Sequence, residues 1–155
     1  MAYQNSITLN FLLLLLVVVV VDAADSEGWS INPKKTVIIR NDIDQHPTPL
    51  DLTLHCKSKN DDLGFHTLVF GETYSFRFRP SLVPRIAEVL YFCSFSWKGS
   101  PYLHYLDVYN QATDHCKICS WKISKNGGCN DFKGYEVCEE WNRILPMDAN
   151  STSVK

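Results

Sequence analysis

The chain has 155 residues, of which 45% are hydrophobic and 21% charged, with six cysteines and a formal net charge of -2. This composition fits a single folded domain and excludes long disorder, collagen and coiled coil. With 15 Lys and Arg against 17 Asp and Glu there is no basic field to gather phosphates, so nucleic acid is not an expected partner.

Residues 11–21 are an unbroken run of Phe, Leu and Val. The run is shorter than the roughly 20 apolar residues that a membrane-spanning helix needs. It follows a polar stretch and ends at Val21, Asp22 and Ala23, where Ala23 supplies the small residue of a signal-peptidase site. A signal peptide over 1–23 is therefore expected, cut after Ala23, because cutting after Ala24 sets the charged Asp22 at the −3 position. No second apolar segment of that kind follows, so the expected product is secreted and extracellular, with no membrane insertion. Residues 24–35 are polar with Gly and Pro and read as an N-terminal extension.

From residue 36 to about 141, apolar residues recur with period two, the signature of strands that bury one face. Leu50, Leu52, Leu54 and Cys56 alternate with Asp51, Thr53, His55 and Lys57; Tyr74, Phe76 and Phe78 alternate with Ser75, Arg77 and Arg79. Tyr91, Cys93, Phe95 and Trp97 follow the same pattern. Together with 36–40, 63–70, 104–109, 118–124 and 135–138, these segments predict about eight strands. The separators carry turn chemistry, including Asn60 to Gly64, Gly71-Glu72, Gly99-Ser100-Pro101 and Asn126-Gly127-Gly128. Only 82–90 has a helical flavour, and Pro84 interrupts it. The expected fold is all-β, an antiparallel β-sandwich braced by disulfides, with the aromatic rings filling the space between two sheets. Residues 142–155 read as a C-terminal tail.

All six cysteines, Cys56, Cys93, Cys116, Cys119, Cys129 and Cys138, follow the leader, and an even number in an oxidising compartment reads as a disulfide framework whose connectivity spacing leaves open. Cys116 and Cys119 have CxxC spacing, but neither a helix N-terminus for redox use nor a second pair for zinc accompanies them. On a continuous strand their Cα atoms would lie roughly 10 Å apart on opposite faces, beyond the roughly 7 Å reach of a bridge. They are therefore expected to have different partners. No metal or other cofactor is expected.

Five histidines, His46, His55, His66, His104 and His115, and the pair Asp61 and Asp62 are the groups from which an extracellular hydrolase would be built. None sits in a nucleophile, metalloprotease or phosphate-loop motif, so no catalytic residue is assigned. Asp61 and Asp62 also suit turn capping, with Gly64 free to take the left-handed conformation. Asn150-Ser151-Thr152 is an N-glycosylation sequon.

The stretch His55-Cys-Lys-Ser-Lys-Asn-Asp-Asp-Leu-Gly64 closely resembles the plant self-incompatibility protein family, the secreted S-protein homologues named after the poppy stigma determinant. The resemblance continues through Thr36-Val-Ile-Ile-Arg-Asn41, Leu52-Thr-Leu-His-Cys56, Gly71-Glu-Thr-Tyr-Ser-Phe76, Phe92-Cys-Ser-Phe-Ser-Trp97, Leu106-Asp-Val-Tyr109, Cys119-Ser-Trp121 and Gly128-Cys129. It implies a small secreted β-sandwich without a catalytic centre, in which Cys56, Cys93, Cys119 and Cys129 match the usual cysteines. Cys116 and Cys138 are left over and are expected to bridge each other. The poppy relative is a stigma ligand that arrests incompatible pollen, a role that membership alone does not transfer.

The functional expectation is a non-enzymatic recognition or signalling ligand, monomeric, whose polar loops meet a cell-surface receptor. Lys57, Lys59, Asn60, Asp61 and Asp62 are the loop candidates for that contact. The alternatives are an extracellular ribonuclease or glycosidase and a secreted defence or inhibitor protein.

Overall fold

The computed structural model describes residues 31–44, 48–84, 87–132 and 134–147; the expected signal peptide, His46 and the Asn150 sequon lie outside them. The described residues contain ten strands: β1 (Lys35–Asn41), β2 (Leu52–Lys57), β3 (Asp62–Leu68), β4 (Thr73–Phe78), β5 (Leu90–Trp97), β6 (Tyr102–Asn110), β7 (Ile118–Ser124), β8 (Gly127–Phe132), β9 (Tyr135–Glu140) and β10 (Arg143–Pro146). They form two five-stranded sheets, ordered β4-β1-β7-β8-β9 and β10-β6-β5-β2-β3. Every pairing is antiparallel except β1 with β7, which run parallel.

The period-two pattern becomes a shared core. Val37 and Ile39 of β1, Phe76 of β4 and Trp121 and Ile123 of β7 pack in one buried cluster with Leu52 and Leu54 of β2, Phe95 of β5 and Leu106 and Val108 of β6. The two sheets thus bury their alternating apolar faces against one another, as in a sandwich. The intervening residues of β2, β5 and β7 lie toward solvent.

Asn41, at the end of β1, is fully buried yet fully bonded. Its amide donates to the carbonyls of Leu50 (2.8 Å) and Leu68 (2.9 Å), and its Oδ1 accepts from the Ile43 amide (3.0 Å). Leu68 belongs to the opposite sheet, so a single side chain ties the two layers together where neither ladder can do so.

Two expected non-strand segments are strands. Gly127 and Gly128 open β8 rather than forming a turn, which falls instead on Lys125 and Asn126 because Ser124 pairs with Gly127. The reason is space: a Cβ on Gly128 would stand 2.5 Å from Leu106 Cδ2 and 2.9 Å from Trp121 Cε3. A Cβ on Gly127, at φ +148°, would stand 2.0 Å from the Glu139 carbonyl oxygen. The second case is β10 in the expected tail. Trp141 lays its ring against Phe95 and His104 and donates to the Lys125 carbonyl (2.9 Å), and Asn142 then takes the chain to the other sheet by accepting from the Asp107 amide (2.7 Å). Arg143 pairs with Tyr105, and Pro146, which cannot donate, sits in this edge strand opposite Tyr102.

Three disulfides are present: Cys56–Cys93, Cys116–Cys119 and Cys129–Cys138. The expected separate partners for Cys116 and Cys119, and the expected Cys116–Cys138 bridge, are both corrected. Cys116 lies before β7, which starts at Ile118, so the segment is bent and the two Cα atoms are 5.4 Å apart instead of the spacing of an extended chain. Cys138 is claimed by Cys129 because the β8–β9 register sets them directly opposite, whereas the β7–β8 register sets Cys129 opposite Lys122. In the segment over 82–90 the described residues 82–84 and 87–89 are not helical either. Gln111 ties its two ends together, accepting from the amides of Ser81 (2.9 Å) and Val89 (3.2 Å) and donating to the Ser81 carbonyl (2.8 Å).

Candidate functional site

The loop candidates converge at the end of the β2–β3 hairpin. His55 pairs with Phe65 and Lys57 with Asp62, so one extra residue is accommodated on β3 between these pairs. Gly64 takes it up with φ +74°, a left-handed conformation that a side chain disfavours. Without this bulge Leu63 would face Lys57 and Asp62 would fall on the opposite side, because a one-residue slip in a strand reverses its faces. The bulge therefore delivers the Asp62 carboxylate to the outer face, beside His55 and Lys57.

Asp62 is surrounded by donors there. His55 Nε2 lies 2.5 Å from Oδ1, the Gly64 amide donates to the same oxygen (3.1 Å), and Lys57 Nζ lies 3.1 Å from Oδ2. The His55 contact first, then the Gly64 amide and Lys57, hold the carboxyl well below the usual carboxylate range. Phe65, 73% exposed, covers the His55 ring with 4.1 Å between centroids.

The tip beyond this cluster is fastened from inside. Ser58 Oγ accepts from the amides of Asn60 (3.3 Å) and Asp61 (3.0 Å), and the Ser58 amide donates to the Asp61 carbonyl (2.8 Å). The buried Tyr91 of β5 donates its hydroxyl to the Asp61 carboxylate. Burial, then the hydrogen bond to Asp61, pushes the Tyr91 hydroxyl up to about 12. Lys59 and Asn60 stand exposed at the apex. The hairpin end thus presents cationic, anionic and amide groups from a frame anchored in the core.

The four histidines among the described residues, His55, His66, His104 and His115, do not converge on a reaction centre. His55 and His66 are an odd distance apart across the pairing, since His55 opposes Phe65. His66 accordingly points inward, where Nε2 meets the Leu63 carbonyl (2.9 Å) and the ring stacks on Tyr74 at 3.8 Å. His104 is 7% exposed, stacked on Trp97 at 4.3 Å and within 3.0 Å of Ser100 Oγ, and its burial pushes its pKa down. His115 is exposed beside Cys116. Sequence reading named His55 and Asp62 but missed their contact, and it missed Tyr91 as the anchor. The available signal was Gly64 inside an otherwise strand-like run, which marks a bulge.

A family model described as plant self-incompatibility protein S1 matches residues 36–141. The chain is 41% identical over 122 residues to S-protein homolog 2 of Arabidopsis thaliana, covering 72% of this chain and 71% of the relative. It is 32% identical over 148 residues to S-protein homolog 4 of the same plant, covering 90% and 92% respectively. S-protein homolog 3, also from Arabidopsis thaliana, is 31% identical over 151 residues, covering 92% and 94%. No solved structure gives a significant match.

Proposed function

The chain belongs to the plant self-incompatibility protein S1 family, and from that premise we propose that it acts as a secreted, non-enzymatic recognition ligand read by a cell-surface receptor. No helix among the described residues is long and apolar enough to cross a membrane. The observation that carries the proposal is the hairpin tip: Lys57, Lys59, Asn60 and Asp62 form a charged display whose backbone is fixed by Ser58 and Tyr91. A surface ordered before it meets its partner loses little conformational freedom on binding, so polar contacts there give affinity and selectivity instead of being spent on ordering.

The test is binding of labelled protein to intact plant cells, with unlabelled protein as competitor. Saturable binding is expected, and the charge changes Lys59→Glu and Asp62→Asn together should weaken it at least tenfold while the circular dichroism spectrum stays unchanged. Undiminished binding by the double variant would remove the hairpin tip from the proposal.

The His55–Asp62 contact is also the pairing a hydrolase would use to orient a base. His66 faces away from it, so the second group that phosphodiester cleavage would draw from these residues is not at hand. Assays of the oxidised protein on RNA and cell-wall polysaccharide are expected to be blank. Turnover abolished by His55→Ala would instead establish the enzymatic reading.

A further inference from the structure

Cys116–Cys119 is unlike the other two bridges. Cys56–Cys93 is wholly buried between β2 and β5, and Cys129–Cys138 cross-links β8 and β9. Cys116–Cys119 spans only three positions of chain and joins no two strands. The segment it encloses is independently attached to β1: the Thr36 amide donates to the Lys117 carbonyl (3.0 Å) and Lys35 Nζ to the Cys116 carbonyl (2.7 Å). A bridge over so short a loop constrains the unfolded chain least, and here two hydrogen bonds to β1 hold the same segment besides the bridge.

Both cysteines line a cavity of about 70 Å³, together with His115, Asp114, Asp131 and Trp121. Cys116 is half-buried and Cys119 6% exposed, so an approaching group meets Cys116 first. The other solvent-reached bridge, Cys129–Cys138, differs in that it ties two paired strands to each other; the Glu136 carboxylate within 4.8 Å of both its sulfurs is itself paired with Lys122 (2.7 Å).

We propose that the Cys116–Cys119 bridge is a thiol–disulfide exchange site, opened by an external thiol entering this cavity while the sandwich stays folded. The thiolate attacks Cys116 Sγ, forming a mixed disulfide as the Cys116–Cys119 bond breaks, and Cys119 leaves as a thiolate that takes a proton from solvent. A second thiol attacks the external sulfur of the mixed disulfide, releasing Cys116 as a thiol and the external disulfide. Two electrons pass from two thiols to one bridge. The reductant class is a free or cysteinyl thiol small enough at its reacting end to enter the cavity. The carboxylates of Asp114 and Asp131 favour one without a nearby negative charge.

The experiment is equilibration of the full protein in graded dithiothreitol and, separately, glutathione buffers, followed by thiol alkylation and peptide mapping by mass spectrometry. Cys116 and Cys119 are expected to be labelled together at reductant levels at least tenfold below those that label the other four cysteines, with the circular dichroism spectrum unchanged. Dithiothreitol should act more readily than glutathione at matched potential. The Cys119→Ser variant, exposed to glutathione disulfide, should carry one glutathione on Cys116. Earlier opening of Cys129–Cys138, opening of all three bridges together with unfolding, or a native map that pairs Cys116 with any other cysteine would each overturn the proposal.

Discussion

Tyr91 and Asp61 meet across the boundary between core and solvent: the hydroxyl of a residue only 2% exposed on β5 donates to a carboxylate on the exposed apex of the neighbouring hairpin. The contact carries the rigidity of the sheet out to the groups that the proposed receptor would read.

Replacing Tyr91 by Phe should therefore separate fold from presentation. The ring stays packed against Phe76 and Phe78, so stability should fall only by about 1.5–3 kcal/mol, the scale of one hydrogen bond to a charged group. The Ser58 and Asp61 amides should exchange with solvent faster, measured by hydrogen exchange, while the amides of β5 should not. The hydroxyl also sets an alkaline limit. Its folded pKa lies near 12 and above the ordinary value of 10.0, so the neutral form is favoured by folding. That contribution is complete below pH 10.0 and is lost as pH rises toward 12. The Phe variant should lack this part of the decline in an alkaline denaturation series.

Asn41→Leu should be among the most damaging single substitutions. It strands the carbonyls of Leu50 and Leu68 and the amide of Ile43 in the interior, each at about 1–3 kcal/mol. Asn41→Asp keeps the acceptor for Ile43 but loses both donated bonds. Chemical denaturation should give a loss of at least about 3 kcal/mol for Leu, or no recoverable folded protein.

Gly128→Ala probes the opposite error, overfilling. The added methyl would press on Leu106, Trp121 and Ile123, and a loss of about 1–3 kcal/mol in urea unfolding is expected. If the clash is with Leu106, the loss from Gly128→Ala should be smaller in a Leu106→Ala background than in the parent chain.

His104 makes stability depend on pH on the acid side. Burial lowers its folded pKa below 6.5, and its Nδ1 has no hydrogen-bond partner among the described residues. The unfolded state therefore takes up a proton first as pH falls. The contribution is intact above about pH 6.5 and is lost progressively below it, toward the folded value. His104→Phe should flatten the thermal unfolding midpoint against pH below 6.5 relative to the parent.

The parts of this fold that sequence made legible are those governed by alternation. Leu52, Leu54 and Cys56 face inward as their spacing requires, and β2, β5 and β7 lie within two residues of the predicted segments. The glycine pair misled because Gly marks both a turn and a close approach, and only the position of Leu106 and Trp121 distinguishes them. The short β10 carries too few residues to show a period, and it is a strand because β6 offers an open edge. At the hairpin, Lys57, Asp61 and Asp62 could be picked out by charge. Which of them meet His55 and which Tyr91 depends on a one-residue bulge and on a strand 30 positions away. The cysteine pairing failed for a related reason, since it assumed an extended chain at Cys116 where the backbone bends.

The parallel alignment of β1 with β7 fixes an order of assembly. Thr36 cannot meet Ile118 until most of the chain exists, whereas β2, β3, β5 and β6 are neighbours in one sheet and close in sequence. That half, with its Cys56–Cys93 link, can pair without β7, which leaves β1 and β4 as a two-stranded ribbon awaiting a third partner. Completion of the layer that holds β1 is therefore deferred until the last third of the polypeptide is available to it.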